Sequence, residues 1–185
     1  MAVFAAIELD DAARAIALHA MEAVAKIPDV RLERPEKLHV TLAYVGQVDA
    51  VRVPLFADAL RQAARACQAF DVVFDELGGF GNKRRPGVIA YACSAPQVGY
   101  LRCAASLRAA FEILGATFEH DALPHVTLAR CKHRMREVTS IPTPQPLIVA
   151  ARKIVLLESV PAGPTTRYEL RASASLRAAD LERGR

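Results

Sequence analysis

A six-residue pattern that contains a histidine and a threonine occurs twice in this chain. Residues 38–43 read LHVTLA, and residues 124–129 read PHVTLA. The apolar and β-branched residues of both copies favour a β-strand. Side chains alternate between the two faces of a strand, so each histidine shares a face with the threonine two residues later. Each copy therefore presents one imidazole and one hydroxyl on one face, while apolar residues on the other face fix the register.

Two such strands lying side by side would carry the groups needed for general acid–base chemistry. His39 and His125 titrate near neutral pH, so one imidazole can accept a proton from water while the other donates one to a leaving oxygen. Thr41 and Thr127 can donate hydrogen bonds to phosphate oxygens, where charge builds in the transition state. One such motif alone is usually structural, but two copies in a chain with 5 histidines favour a paired site. We therefore predict phosphoester chemistry that needs neither a metal ion nor a covalent intermediate.

The paired motifs resemble those of the two-histidine phosphoesterase superfamily, whose members carry two H-x-T-Φ strands, where Φ is apolar. Within it, the chain is similar to the bacterial and archaeal RNA 2′,3′-cyclic phosphodiesterases, also called 2′-5′ RNA ligases. Further matches to that family lie at residues 3–9, 35–38, 43–46, 78–86, 128–130 and 156–159. The resemblance covers about residues 3–171, nearly the whole chain. One difference is that residues 30–34 (VRLER) lack the aromatic residue that the family often has there.

This resemblance implies both a fold and a reaction. The family fold is α+β, with two pseudo-symmetric lobes whose antiparallel sheets face each other across a central cleft and with helices outside. The family opens a terminal ribose 2′,3′-cyclic phosphate by breaking the P–O3′ bond, which leaves a 2′-phosphate. By this resemblance His39 is the proton donor and His125 the proton acceptor, although two identical motifs do not fix the order. Thr41 and Thr127 would hold phosphate oxygens.

Two further residues are candidates for substrate binding. The resemblance places Arg130 near the phosphate, and the planar guanidinium group suits that role. Strand alternation alone puts Arg130 on the face opposite to His125, so this role requires a bulge or a strand end. Tyr44 is a candidate for contact with a base. The resemblance implies no metal ligand and no cofactor.

Three hypotheses of function share this site. The leading one is metal-independent hydrolysis of RNA 2′,3′-cyclic phosphate ends, with reversible 2′-5′ RNA ligation at the same site. The second is a cyclic phosphodiesterase for a small nucleotide, such as ADP-ribose cyclic phosphate or 2′-5′ oligoadenylate. The third is a non-catalytic binder of RNA ends. The presence of both histidines and both threonines favours a catalyst that acts on RNA ends or cyclic nucleotides.

Composition and charge are those of a folded protein with room for a phosphate-bearing partner. Of the 185 residues, 52% are hydrophobic and 24% charged, which allows a buried core and excludes wholesale disorder. The net charge of +4 permits an anionic substrate without requiring one. None of the 4 cysteines forms a C-x-x-C pair, and we expect neither a signal peptide nor a membrane span. We therefore expect a cytoplasmic monomer with no obligate protein partner.

The elements that position the motifs are predicted from periodicity and from turn residues. We predict a single bilobal domain over residues 1–172 and a polar tail over residues 173–185. Strands are predicted at residues 3–9, 38–45, 71–77, 88–93, 125–131, 147–158 and 166–171. Helices are predicted between Asp10 or Asp11 and Pro28, at residues 54–70, and at residues 98–114 before Gly115. Residues 78–81 are predicted as a glycine-rich loop and residues 139–146 as a stiff connector.

Overall fold

Strands and three helices make up the part of the chain that the structure describes. The computed structural model describes residues 1–80, 87–132, 141, 145–163 and 165–178. The strands are β1 (Ala2–Glu8), β2 (Val30–Leu32), β3 (His39–Gln47), β4 (Phe70–Phe74), β5 (Glu76–Phe80), β6 (Val88–Ala92), β7 (His125–Cys131), β8 (Leu147–Ala151), β9 (Lys153–Ala162) and β10 (Thr165–Ser175). The helices are α1 (Asp11–Val24), α2 (Val53–Ala66) and α3 (Val98–Glu112). α1 begins as predicted, because the Asp10 side chain accepts a hydrogen bond from the Ala13 N–H at 2.8 Å.

Strands β3 and β7, which carry the two HVTL motifs, lie next to each other at the centre of the main sheet. The strand order is β10-β9-β1-β3-β7-β6-β5, and β2 also pairs with β7. Each motif strand has an antiparallel partner on its outer side, β1 beside β3 and β6 beside β7. The two halves are thus related by a pseudo-twofold axis between β3 and β7. The predicted α+β fold with two pseudo-symmetric lobes is confirmed.

The two motif strands meet at one registered pair of residues. Val40 of β3 lies opposite Val126 of β7 in an antiparallel arrangement, and both side chains are fully buried. Helix α3 packs against β3, and helix α1 packs against β7. Alternate residues of a strand face opposite sides, so the histidines and threonines beside these valines project away from the apolar core. The junction therefore presents both motifs on one face.

Each motif strand contains a β-bulge at the leucine of its motif. Successive residues of β1 pair with Ala43 and then with Thr41. Successive residues of β6 pair with Ala129 and then with Thr127. The leucine in between is skipped in both pairings, and it is buried together with the alanine that follows it. A bulge shifts the alternation by one residue, so the side chain five positions after each histidine returns to the histidine face.

Two predicted strands are each divided between the two sheets. The segment predicted at residues 71–77 breaks at Asp75, which accepts a hydrogen bond from the Ser94 N–H at 2.8 Å. The segment predicted at residues 147–158 breaks at Arg152. In both cases the first half belongs to the small β4–β8 sheet and the second half to the main sheet. Local β-propensity is continuous across each break, so the sequence alone gave no signal for it. Tertiary packing determines which sheet each half joins.

Other boundaries also differ from the prediction. The helix predicted to end at residue 70 ends at Ala66, and β2 was not predicted. β3 continues through Gly46, whose φ of 82° bends the strand without ending it. Gly78 and Gly79 pair with β6 within β5, so these residues of the predicted loop are strand. The rest of that loop, residues 81–86, and most of the connector at residues 139–146 lie outside the described residues.

The predicted start of the C-terminal tail is also too early. β10 was predicted to end at residue 171, but it pairs with β9 through Ser175. Leu176 is buried, and Arg177 forms a parallel bridge with Gln68. The tail residues that the structure describes, up to residue 178, therefore belong to the folded domain. Residues 179–185 lie outside the described residues.

A close approach between Gly99 and Phe70 seats helix α3 beneath the first motif. A Cβ atom built at Gly99 would lie 2.5 Å from the Phe70 Cβ, a distance that real Cβ atoms do not tolerate. The next residue, Tyr100, is buried, and its hydroxyl donates a hydrogen bond to the Thr41 carbonyl at 2.7 Å. The glycine therefore allows α3 to hold the backbone of the first motif.

The Gly99→Ala variant is expected to be less stable than the wild type. Alanine in a helix is normally about 1 kcal/mol more favourable than glycine, but overlap with Phe70 should reverse the sign and cost roughly 1–3 kcal/mol. Chemical denaturation measures this difference. The Gly78→Ala variant is the control, because no atom lies within 4 Å of the Cβ that it adds. A Gly99→Ala variant as stable as the wild type would contradict the close approach.

Candidate active site

A cleft of about 630 Å³ opens on the histidine face of β3 and β7. It is also bordered by β2 with the turn that follows it, and by the β9–β10 hairpin. All six residues predicted for the site line this cleft: His39, Thr41, Tyr44, His125, Thr127 and Arg130. The structure therefore brings together residues from both motifs.

The antiparallel register arranges the two histidine–threonine pairs around the Val40–Val126 junction. If the register continues by one residue on each side, His39 lies opposite Thr127, and His125 lies opposite Thr41. The two imidazoles are then diagonal neighbours, a relation in which side chains lie roughly 7–8 Å apart. This spacing leaves room for one phosphate group between the two rings.

Both imidazoles are oriented by a backbone carbonyl two residues earlier in the chain. His39 Nδ1 lies 2.6 Å from the Lys37 oxygen, and His125 Nδ1 lies 2.9 Å from the Leu123 oxygen. A carbonyl oxygen can only accept a hydrogen bond, so Nδ1 carries the hydrogen in both rings. Nε2 is therefore the nitrogen that gains or loses a proton. His39 Nε2 lies 3.0 Å from the Thr41 hydroxyl oxygen, so the titrating nitrogen of His39 is hydrogen-bonded to the threonine of its own motif.

Burial lowers the pKa of both histidines. The ring of His125 stacks on Phe80 at a centroid distance of 4.2 Å, and burial lowers the pKa of His125 while its hydrogen bond to Leu123 opposes that shift. The ring of His39 lies 5.0 Å from Phe4 and 5.4 Å from Tyr168.

Charges around the cleft adjust the pKa of His39 further. Burial lowers this pKa most, and the hydrogen bond to the Lys37 carbonyl raises it. The positive charge of His125 lowers the pKa of His39, so protonation of both rings at once is disfavoured. The carboxylate of Glu33 raises the pKa of His39, because it stabilises the imidazolium. The pair is thus suited to a state in which one ring is protonated and the other is neutral.

The bulge in β7 aims Arg130 into the cleft, and Glu33 holds it there. Arg130 Nε donates to the Glu33 carboxylate at 2.6 Å, and the Glu33 side chain is only 14% exposed. The Glu33 N–H donates to the Leu128 carbonyl at 2.8 Å, which fixes the carboxylate beside the bulge. With Nε engaged by Glu33, the two terminal nitrogens of the guanidinium group remain to bind an anion. The bulge thus reconciles the expected role of Arg130 with strand alternation.

The corresponding bulge in β3 aims Tyr44 into the cleft. Its side chain is 60% exposed, which is unusual for a large ring, and its centroid lies 6.4 Å from that of Phe4. An exposed aromatic ring on the wall of a cleft can stack on a flat ligand group. Phe4 itself is buried outside the main core and lines the same cleft. Tyr44 and Arg130 occupy equivalent positions in the two motifs, and they are the first point at which the two halves of the cleft differ.

Several residues of the cleft were not predicted as site residues. Glu33 is the only acidic residue that lines the cleft among the described residues. Lys37 donates to the Thr166 hydroxyl at 2.8 Å, and its ammonium lies 5.1 Å from the centre of the Tyr168 ring. Phe80 and Tyr168 flank the two histidines. All of these contacts join segments far apart in the chain, so spacing gave no signal for them.

Two properties bear on cofactors and membranes. Within residues 1–80, 87–132 and the other described segments, no three His, Cys, Asp or Glu side chains form a group that could hold a metal ion. No helix of the described chain is long and apolar enough to cross a membrane.

Replacing Glu33 with glutamine should lower the pKa of His39, because the nearby carboxylate no longer stabilises the imidazolium. The pKa of His125 should change less, since burial and the Leu123 carbonyl account for its shift. NMR titration of the histidine ring signals measures both values. Glu36→Gln is the matched control, because Glu36 lies nearby but its side chain is 67% exposed. An unchanged His39 pKa in Glu33→Gln would contradict this electrostatic link.

Comparison with known sequences identifies relatives with one recurring name. Residues 7–90 match the family described as LigT like phosphoesterase. An RNA 2′,3′-cyclic phosphodiesterase of Thermus thermophilus is 30% identical over 139 residues, which cover 71% of this chain and 69% of the relative. Another RNA 2′,3′-cyclic phosphodiesterase, from Archaeoglobus fulgidus, is 28% identical over 142 residues, or 76% of this chain and 78% of the relative.

Comparison with solved structures extends the likeness to the whole fold. A crystal structure of a Thermus thermophilus protein superposes with a TM-score of 0.81 at 26% identity, and the match covers 96% of this chain and 99% of that one. The paired motifs, the two-lobed sheet and the extent of the sequence matches agree. This chain belongs to the LigT-like family of two-histidine phosphoesterases.

Proposed function

We propose that this protein hydrolyses RNA ends that carry a 2′,3′-cyclic phosphate to ends that carry a 2′-phosphate, without a metal ion. The observation that carries this proposal is the Val40–Val126 junction, which places His39 and His125 in one cleft. The names of the Thermus and Archaeoglobus relatives support the same substrate. Activation of water and protonation of the leaving oxygen are divided between the two rings.

His125 acts as the base and His39 as the acid. Neutral His125 accepts a proton at Nε2 from a water molecule, whose oxygen attacks phosphorus. The P–O3′ bond breaks as protonated His39 donates its Nε2 hydrogen to O3′, which leaves a 3′-hydroxyl and a 2′-phosphate. This order follows the family resemblance. The Glu33 carboxylate favours the imidazolium form of His39, while burial and the charge of His125 oppose it. Exchange of one proton with solvent restores the starting state.

The other predicted residues stabilise the charge that builds on phosphate. The hydroxyls of Thr41 and Thr127 donate to the non-bridging oxygens, and the terminal nitrogens of Arg130 add a charged hydrogen bond. Tyr44 stacks on the terminal base. Ligation is the same ring opening with an RNA 5′-hydroxyl in place of water: its oxygen attacks phosphorus, its proton passes to His125, the P–O3′ bond breaks, and a 2′-5′ linkage forms.

His39→Ala and His125→Ala should each lose most of the hydrolysis, because each removes one proton-transfer group. Losses of roughly 10²–10⁴-fold are expected for a positioned acid or base. The assay uses an RNA oligonucleotide with a 2′,3′-cyclic phosphate, in EDTA, and identifies the product as a 2′- or 3′-phosphate. His19→Ala is the control, because His19 is 68% exposed on α1 and outside the cleft. Activity that survives either cleft substitution, that requires a metal ion, or that yields a 3′-phosphate would refute the proposal.

The pH profile of kcat/KM should be bell-shaped, with its maximum on the acidic side of the ordinary histidine pKa of about 6.5. At low pH His125 becomes protonated and can no longer act as the base. At high pH His39 loses the proton that it must donate. Burial lowers the pKa of both rings, so both limbs move to lower pH. Steady-state rates across the pH range test this, and a maximum well above neutral pH would be inconsistent with it.

The Glu33→Gln variant tests whether this carboxylate acts on catalysis through His39. Loss of the carboxylate lowers the pKa of His39, so the limb of the profile that follows His39 should move to lower pH. The two rings titrate as a coupled pair, so the His39 pKa measured by NMR in the same variant identifies the limb that moves. A profile with both limbs unchanged would contradict this role of Glu33.

A further inference from the structure

One side of the cleft carries more positive charge than the reacting phosphate can balance. Four cationic side chains line the cleft: Arg31, Arg34, Lys37 and Arg130. Glu33 is the single acidic side chain among the described residues of the lining, which leaves an excess of three positive charges. A cyclic phosphate is a diester and carries one negative charge. Because Glu33 is bonded to Arg130, the unbalanced charge lies mainly on the other three cations.

Arg31 and Arg130 are placed where like charges repel. They lie directly opposite each other in the antiparallel pairing of β2 with β7. Like charges at opposed positions of neighbouring strands are destabilising, and their side chains leave the same face of the sheet. Arg130 is paired with Glu33, but the side chain of Arg31 has no hydrogen bond or ion pair within the described part of the chain. This arrangement favours an anion between or beside the two guanidinium groups.

The other two cations belong to the same electrostatic cluster. Burial lowers the pKa of Lys37, and the Glu33 carboxylate opposes this shift. Three guanidinium groups lower the pKa of Lys37 further, those of Arg34, Arg130 and Arg31. Among the described residues, the Arg34 side chain has only a long contact of 3.9 Å with Glu36, and both side chains are more than half exposed. Such an exposed pair contributes little, so Arg34 remains available to a ligand.

We propose that Arg31, Arg34 and Lys37 form a second phosphate subsite, which binds the phosphodiester upstream of the cyclic phosphate. This inference rests on the proposed function and narrows the substrate to an RNA of at least two nucleotides. Arg130 contacts the reacting phosphate, and its neighbour Arg31 contacts the next one. Guanidinium groups suit this task, because each can donate two parallel hydrogen bonds to one phosphate. A nucleoside 2′,3′-cyclic monophosphate has no group for this subsite.

The test compares two substrates with the same terminal nucleoside. One is a diadenosine RNA ending in a 2′,3′-cyclic phosphate, and the other is adenosine 2′,3′-cyclic monophosphate. The wild type should have the higher kcat/KM for the dinucleotide. Arg31→Gln and Arg34→Gln should each reduce that preference by about tenfold, mainly through KM, which corresponds to one charged hydrogen bond. Arg102→Gln is the matched control, because Arg102 is exposed on α3 and does not line the cleft.

Salt dependence provides a second readout. Each phosphate contact to single-stranded RNA contributes about −0.7 to the slope of log affinity against log salt concentration. The slope for the dinucleotide should therefore be shallower in Arg31→Gln than in the wild type. An unchanged slope, or an equal loss of activity on both substrates, would overturn the subsite.

Two additional arms separate this inference from the proposed function. If the wild type hydrolyses neither substrate, the proposed function fails, and calorimetric binding of diadenosine 2′-phosphate against adenosine 2′-phosphate then tests the subsite alone. A preference for the dinucleotide that Arg31→Gln abolishes would support the subsite, and equal affinities would overturn it. ADP-ribose 1″,2″-cyclic phosphate carries its extra charge as a pyrophosphate. Higher kcat/KM for this compound than for the dinucleotide would overturn the assignment to RNA.

Discussion

The register between β3 and β7 is the constraint on which the site depends. Val40 and Val126 are the one registered pair between these two strands, and both valines are fully buried. A slip of one residue in either strand would turn its histidine and threonine into the core and its valine and leucine into the cleft. Such a slip would expose apolar surface and bury polar groups without partners. Core packing therefore fixes the positions of the two histidines and the two threonines. The catalytic groups proposed here are held in place by the apolar residues between them.

The two bulges determine which further side chains reach the cleft. Each inserts one residue at the leucine of its motif and returns the side chain five positions after the histidine to the cleft. The same backbone device therefore delivers Tyr44 from one lobe and Arg130 from the other. The histidines and threonines obey the pseudo-twofold symmetry, but an RNA end does not. An aromatic ring on one side and a guanidinium group on the other make the two sides of the cleft different, which the two histidines and two threonines alone do not.

The repeated motif predicted which side chains share a face, because strand alternation is a local property. It placed each histidine on the same face as its threonine, and one cleft holds both pairs. Alternation alone gave the opposite face for Arg130, because the bulge at Leu128 depends on pairing with β6. The Glu33 carboxylate and the Phe80 ring reach the site from other segments, and no spacing in the sequence links them to a histidine. The division of two predicted strands between sheets has the same origin, since local propensity does not specify a partner.

The charges that line the cleft reduce the stability of the free protein, and this property is consistent with binding an anion. Both imidazoles have a lowered pKa, so the unfolded chain binds more protons than the folded one as the pH falls through about 6.5. The site therefore reduces folding stability at acidic pH, while above that range the penalty disappears. Arg31 opposite Arg130 adds repulsion that does not depend on pH in this range. A bound phosphate would oppose both effects, because its negative charge favours an imidazolium and separates the guanidinium groups. Glu33 partly substitutes for that charge in the free protein, which explains a carboxylate in a cleft suited to anions.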